Sequence, residues 1–282
     1  MNSLALAMVF SLVAAPVTAL AATATAPTAA KKKVAGPQKA KMLGADALEK
    51  LRDNLQGDDA ALGAAAAKQL GESGAANAGE VLVSVLAVGT VPERGQVALD
   101  ALAKLADPTT IDILELYAGH RSPDLRRRAV TALGAMSDGR VVPTLLARLG
   151  DAAPDVRAAA AEALAARKEK KANGRLFKLV KKNDAGAAGP LGMLATPDLV
   201  PQIAELAGGV NDEVLATTLG EYIKRNDVPD KLRNEVIKTM GKLSGVSATA
   251  ALIEYLASVP AKEDRASQRE AQKLVDDRSK QK

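Results

Sequence analysis

The sequence predicts an all-α protein, an α-solenoid of stacked antiparallel helix pairs repeating about every 31 residues, and three observations carry that prediction. Ala, the strongest helix former, supplies 58 of the 282 residues, whereas aromatics make up only 2%, too few for the core of a β-sandwich or barrel. Pro92, Pro123 and Pro154 recur at intervals of 31 and 31, opening the related segments PERGQVALDALAKL, PDLRRRAVTALGAM and PDVRAAAAEALAAR. The same intervals superpose Ala98, Ala129 and Ala160, and Leu102, Leu133 and Leu164. Self-similarity at a fixed period marks a repeat architecture. Each unit also carries two apolar stripes at helical spacing, neither long enough to bury itself alone, so neighbouring units must stack.

Taken in chain order, Leu4 to Ala15 form an uncharged apolar run followed by Pro16 and the small residues Ala19 and Ala21, the pattern of a signal peptide over 1–21. No Lys or Arg precedes that run, and it is shorter than the ~20 residues of a membrane span. Residues 22–45, rich in Ala, Thr, Pro and Lys without periodicity, read as a disordered linker. The solenoid is expected over 46–260. It begins with a capping helix at 46–55 through Leu48, Leu51 and Leu55, and QGDDA (56–60) supplies a helix cap rather than a calcium loop. VLVSVLAVG (81–89) has local β propensity, but its register makes it the second helix of a unit. In the middle unit Leu125, Ala129, Ala132, Leu133 and Met136 form the first stripe, Ser137, Asp138 and Gly139 the break, and Val142, Leu145, Leu146 and Leu149 the second stripe.

Later segments are expected to follow by offset. A shift of 107 aligns Leu232, Arg233, Met240 and Gly241 with the first helix of the middle unit, and Leu252, Ile253 and Leu256 with its second. The region 183–225 is degenerate. A shift of 58 aligns Leu191 and Gly192 with Leu133 and Gly134, yet Gly186, Gly189 and Pro190 are expected to spoil a helix. Either 184–196 is a loop and helices near 198–207 and 212–225 pair, or an odd helix is inserted. The GxxGxxG string at 186–192 follows no strand and precedes no Lys-Ser/Thr, so it reads as a flexible break rather than a phosphate loop. Residues 261–282 are expected to form a charged capping helix and tail.

Through PDLRRRAVTALG, PDVRAAAAEALA and DKLRNEVIKTMG, residues 58–260 resemble the HEAT repeat family, in particular the short HEAT-like repeats also seen in phycobilisome lyases. The resemblance implies an Asp in the turn before the first helix that pairs with an Arg within it, a ladder matched here by Asp151 with Arg157 and Asp227 with Arg233. Arg126 keeps the Arg while His120 replaces the Asp, and a neutral imidazole is expected to accept from Arg126. The resemblance further implies that second helices line a concave, partner-binding surface.

The charge balance is polarised. Residues 57–120 hold three bases and nine acids, 121–182 hold 15 and six, and 183–223 hold none and six. Arg175, Lys178, Lys181 and Lys182 are expected on the open face of one second helix, with Arg127, Arg128 and Arg148 nearby. They read either as an anion-recognising groove or as a solvated face. Without Cys and with one His, the chain has no thiol nucleophile, disulfide, Cys-ligated zinc or two-His metal site, and no cofactor is expected. The expected function is a noncatalytic, exported scaffold or adaptor, periplasmic or secreted, binding a protein or an anionic cell-envelope polymer. Nucleic acid is disfavoured because only Phe177 stands ready to stack among these bases. A chromophore lyase-like or other enzyme-associated factor, and a salt-labile homo-oligomer, are the alternatives.

Overall fold

The structure is a computed structural model that describes residues 42–260 and 264–280. The expected signal peptide and residues 22–41 of the expected linker lie outside the described residues. Fifteen α-helices occupy the described part: α1 (Ala45–Gln56), α2 (Ala60–Ser73), α3 (Ala78–Ala87), α4 (Pro92–Leu105), α5 (Ile111–Ala118), α6 (Pro123–Ala135), α7 (Val142–Arg148), α8 (Pro154–Ala166), α9 (Asn173–Val180), α10 (Ala188–Leu194), α11 (Val200–Ala204), α12 (Asp212–Ile223), α13 (Asp230–Gly241), α14 (Val246–Ser258) and α15 (Ala266–Ser279). Pro opens α4, α6 and α8, where its missing N–H would be unpaired anyway. Asp59 caps α2 by accepting from the amides of Ala61 at 2.9 Å and Leu62 at 3.1 Å. A short 3₁₀ turn precedes α5, α7 and α9, each started by an acid, Asp107, Asp138 or Glu169, that accepts the N–H two residues on.

The helices form two layers. The even-numbered helices α2 to α14 pack side by side in sequence order, and the odd-numbered helices flank them. One dipeptide explains how the even layer closes up. Leu70-Gly71, Leu102-Ala103, Leu133-Gly134, Leu164-Ala165, Leu191-Gly192 and Leu219-Gly220 occupy the same place on six successive even helices, and all six Leu side chains are buried. The small residue lets the next helix approach backbone to backbone. A Cβ on Gly134 would lie 2.6 Å from the Ala163 Cβ, and one on Gly192 would lie 2.2 Å from the Thr218 carbonyl oxygen. In α14 the dipeptide becomes Leu252-Ile253, and the Ile side chain stands 51% exposed, with no further even helix among the described residues.

This pattern corrects two sequence expectations. Residues 188–194 form α10 rather than a loop, because Gly189 and Pro190 fall in its first turn, where backbone N–H groups need no intrahelical partner. Two of the three glycines are sites of tight packing rather than a flexible break, since Gly186 backs onto Ala158 and Gly192 onto Thr218. The shift of 107 is likewise overturned. Helix α13 packs with α11 and α15 in the odd layer, and α14 continues the even layer from α12. The true counterpart of Leu133-Gly134 is Leu219-Gly220, whose glycine faces Ala251; Met240-Gly241 imitates the motif but faces Leu274 of α15.

Candidate functional site

Arginines stitch consecutive units together, although not in the pairs the sequence spacing implies. Arg126 of α6 makes two charge-assisted bonds to Asp151 in the next unit's turn, at 2.9 and 2.7 Å, and donates to the His120 carbonyl of its own turn at 2.9 Å. Arg157 repeats this with Asp184 at 2.6 Å and the Asp151 carbonyl at 2.9 Å. Asp151 is therefore the partner of Arg126, not of Arg157. Burial alone would raise its carboxyl, but the Arg126 guanidinium and the Ala153 amide outweigh that and hold it below the usual carboxylate range.

His120 does not accept from Arg126 with its ring. Its Nδ1 accepts the Ser122 amide at 3.0 Å, as Asp151 accepts the Ala153 amide at 2.9 Å and Asp184 the Gly186 amide at 3.1 Å, while the ring stacks on Tyr117. The residue one period before Arg126 is Gly95, so no arginine reaches forward to position 120 and no acid is needed there. Asp227 and Arg233 are not a pair either. Asp227 binds Arg225 at 2.9 and 2.6 Å, which holds its carboxyl low and ionised, and buried Arg233 donates to the Ile223 and Arg225 carbonyls at 2.8 Å each.

A second set of arginines caps helix C-termini on the preceding unit, where free carbonyls and the negative end of the helix dipole attract a guanidinium. Arg148 of α7 reaches Ala118 O of α5 at 3.1 Å, and Arg175 of α9 reaches Leu146 O of α7. Arg167 reaches the Met136 carbonyl that closes α6 and Asp138 O just beyond it at 2.7 Å, Arg225 reaches Ala195 O at 2.6 Å, and Arg278 reaches Leu243 O at 2.7 Å.

The expected basic groove therefore divides. Arg127 and Arg128 lie on α6 in the even layer and are neutralised by Asp124 at 2.8 and 3.0 Å, Arg128 also by Asp100. Arg148, Arg175, Lys178, Lys181 and Lys182 follow the odd layer instead. Of the nine arginines in 121–182, all but Arg121 donate a side-chain hydrogen bond within the fold, whereas none of the six lysines there makes a side-chain hydrogen bond or ion pair, Lys170 only acting at a distance on Asp227. Lys178, Lys181 and Lys182 are exposed on and just after α9. Sequence reasoning counted both residue types as one charge pool; the signal it missed is that arginine, with its planar fork, serves the framework.

Among the described residues no group of three or more His, Asp or Glu could hold a metal ion, and no helix is long and apolar enough to cross a membrane. A cleft of about 750 Å³ lies at the ends of α8, α10 and α12, with Lys168, Lys170 and Met193 at its walls. Its two acids, Glu221 and Asp227, are each held by a base, Lys224 at 2.6 Å and Arg225 at 2.6 Å, so both serve the framework.

A family model described as HEAT repeats matches residues 110–188. No curated protein matches the chain. Among solved structures, the complex of CpcE and CpcF of phycocyanin lyase from Nostoc sp. PCC7120 is similar at 20% identity and a TM-score of 0.45, over 89% of this chain and 99% of that one. A designed armadillo repeat protein is similar at 18% identity and a TM-score of 0.36, over 81% of this chain and 98% of that one. Another, in complex with the peptide (KR)4, is similar at 17% identity and a TM-score of 0.36, over 81% and 98%.

Proposed function

We propose that this solenoid is a noncatalytic, exported scaffold that holds an acidic protein segment on its odd-layer face at α9. One observation carries the reading: Lys178, Lys181 and Lys182 stand exposed and unpaired on successive turns while the arginines around them are used up inside the fold. An unneutralised cluster on a rigid face attracts acidic partners and steers their approach. Half-buried Phe177 and Leu146 beside the lysines give a protein segment apolar surface to cover, which favours protein over a purely anionic envelope polymer. Export is supported by the uncharged apolar run Leu4 to Ala15 and by Ala19 and Ala21 at the small positions of a cleavage site.

The test replaces Lys178, Lys181 and Lys182 together by Ser and measures binding of a labelled poly-glutamate peptide, with polyphosphate as the polymer control. Wild type should bind the peptide in a salt-sensitive manner and the triple variant should lose most of that binding with an unchanged circular-dichroism spectrum. Equal binding by both proteins sinks the reading. Preference for polyphosphate moves the partner to the polymer class, and recovery of a stoichiometric tetrapyrrole from purified protein would overturn the noncatalytic assignment.

A further inference from the structure

Three consecutive odd-layer helices carry different charges at the same register. Asp112, Pro143 and Gly174 are equivalent by the 31-residue period, as are Leu116, Ala147 and Lys178, and all six are exposed. Helix α5 presents Asp112 and Glu115, a charge of −2, with Glu115 also accepting from the Thr144 hydroxyl of α7 at 2.6 Å. Helix α9 presents the unpaired Lys178, continued by Lys181 and Lys182, and Arg175 beside them keeps its charge because its partner, Leu146 O, is neutral. Between them α7 is neutral on balance: Arg140 at its start closes onto Asp138 at 2.9 Å while also feeling Asp112 and Glu115 of α5, and Arg148 turns to Ala118 O at 3.1 Å and Asp151 at 3.6 Å. With packed helices about 10 Å apart, the acidic and basic strips lie roughly 20 Å apart, beyond the ~8 Å screening length at physiological salt. They do not neutralise each other within one molecule.

A face that runs acidic, neutral, basic across three parallel equivalent helices is complementary to itself under one operation. A two-fold axis lying in the face along α7 exchanges α5 with α9 and keeps each residue at its level along the helix. An in-plane axis at right angles would set acid on acid. We infer that this face pairs with the same face of a second copy, α7 over α7, each contact occurring twice as an isologous interface requires. At matching levels Leu116, 67% exposed, meets the aliphatic stem of Lys178 of the second copy, leaving its ammonium beside Glu115. The contact is polar-rimmed, so it is weak and salt-labile. The inference goes beyond the partner reading above, although the two share Lys178.

The experiment is sedimentation velocity of the full chain over a concentration series at about 20 mM and about 500 mM salt, screening lengths of roughly 20 Å and 4 Å. A dimer is expected at low salt that dissociates at high salt. Glu115→Lys and Lys178→Glu should each weaken it by about tenfold or more, because each creates two like-charge contacts. The double variant, which restores opposite charges in both contacts, should bring the dimer back. Glu115→Lys keeps Lys178, Lys181 and Lys182 and should bind poly-glutamate undiminished, so loss of the dimer and loss of the acidic partner are read separately. A wild-type monomer at low salt overturns the inference. So does a dimer indifferent to the single reversals, or one the double variant fails to restore.

Discussion

Replacing Gly192 by Ala isolates the close approach that builds the even layer. Two effects oppose each other. In a helix interior, Gly→Ala gains up to about 1 kcal/mol from propensity. Against that, the new Cβ would sit 2.2 Å from the Thr218 carbonyl oxygen and 2.7 Å from the Glu221 Cβ. Neither atom is the free end of a flexible side chain, so α10 and α12 must separate, and overpacking of this kind costs about 1–3 kcal/mol or more. The Thr218 oxygen also belongs to a helix whose next neighbour is held tightly at Gly220 against Ala251, which restricts how far α12 can retreat. A net loss of about 2 kcal/mol is expected. Gly174, on α9 with nothing within 4 Å of an added Cβ, is the control; its change to Ala should be neutral or stabilising by a few tenths to about 1 kcal/mol. Urea unfolding followed by far-UV circular dichroism reports the midpoint shifts even if the repeat array unfolds in stages. A Gly192→Ala protein as stable as the Gly174→Ala protein would refute the crossing geometry.

Leu133→Ala should cost about 2–5 kcal/mol in the same assay, since it empties a fully buried position in a core of small residues that has little capacity to collapse. Asp151→Asn removes the charge facing Arg126 from a side chain only 4% exposed, and should cost about 2–4 kcal/mol at pH 7. Because the folded state lowers the Asp151 pKa, its contribution is complete above the ordinary value of about 3.9 and is lost as pH falls through the lower folded value, so thermal melts of wild type and variant should converge below about pH 4. His120→Ala should lower stability by about 1 kcal/mol by orphaning the Ser122 amide. His120→Asn should lose less in a thermal melt, because an Asn oxygen accepts the same bond, as Asn211 accepts the Glu213 amide at 2.8 Å.

The helix-pair architecture was legible because its period is written in residues whose structural role is fixed, Pro at the first turn and Leu at the buried anchor. Helix α12 was expected near 212–225, but its place in the register escaped because it lacks the Pro and the Arg, although Leu219-Gly220 was there to be matched. Met240-Gly241 drew the alignment instead. The ladder was misread for a geometric reason. An acid six residues before an arginine lies 25 residues after the previous one when the period is 31, so spacing alone fits a bond within a unit as well as between units. The cue was Gly95, one period before Arg126: with no arginine there, position 120 had no cation to answer. The candidate face was half legible. Lysines and arginines add identically to a net charge, and only the carboxylates and helix-end carbonyls of neighbouring units reveal that the arginines are occupied.

Ile253 on α14 breaks the small-residue pattern of the even layer. Every even helix before it offers Gly or Ala to its successor, so a copy of one unit spliced between two others would meet the same small surface on both sides and extend the stack. A copy added after α14 would meet a branched side chain where a backbone must come close. Duplication within the array is thus structurally cheap and duplication at its end is not. Changes in repeat number between related chains should accordingly fall between α2 and α12, and a lengthened variant grown from the end would first need Ile253 reduced to Gly or Ala.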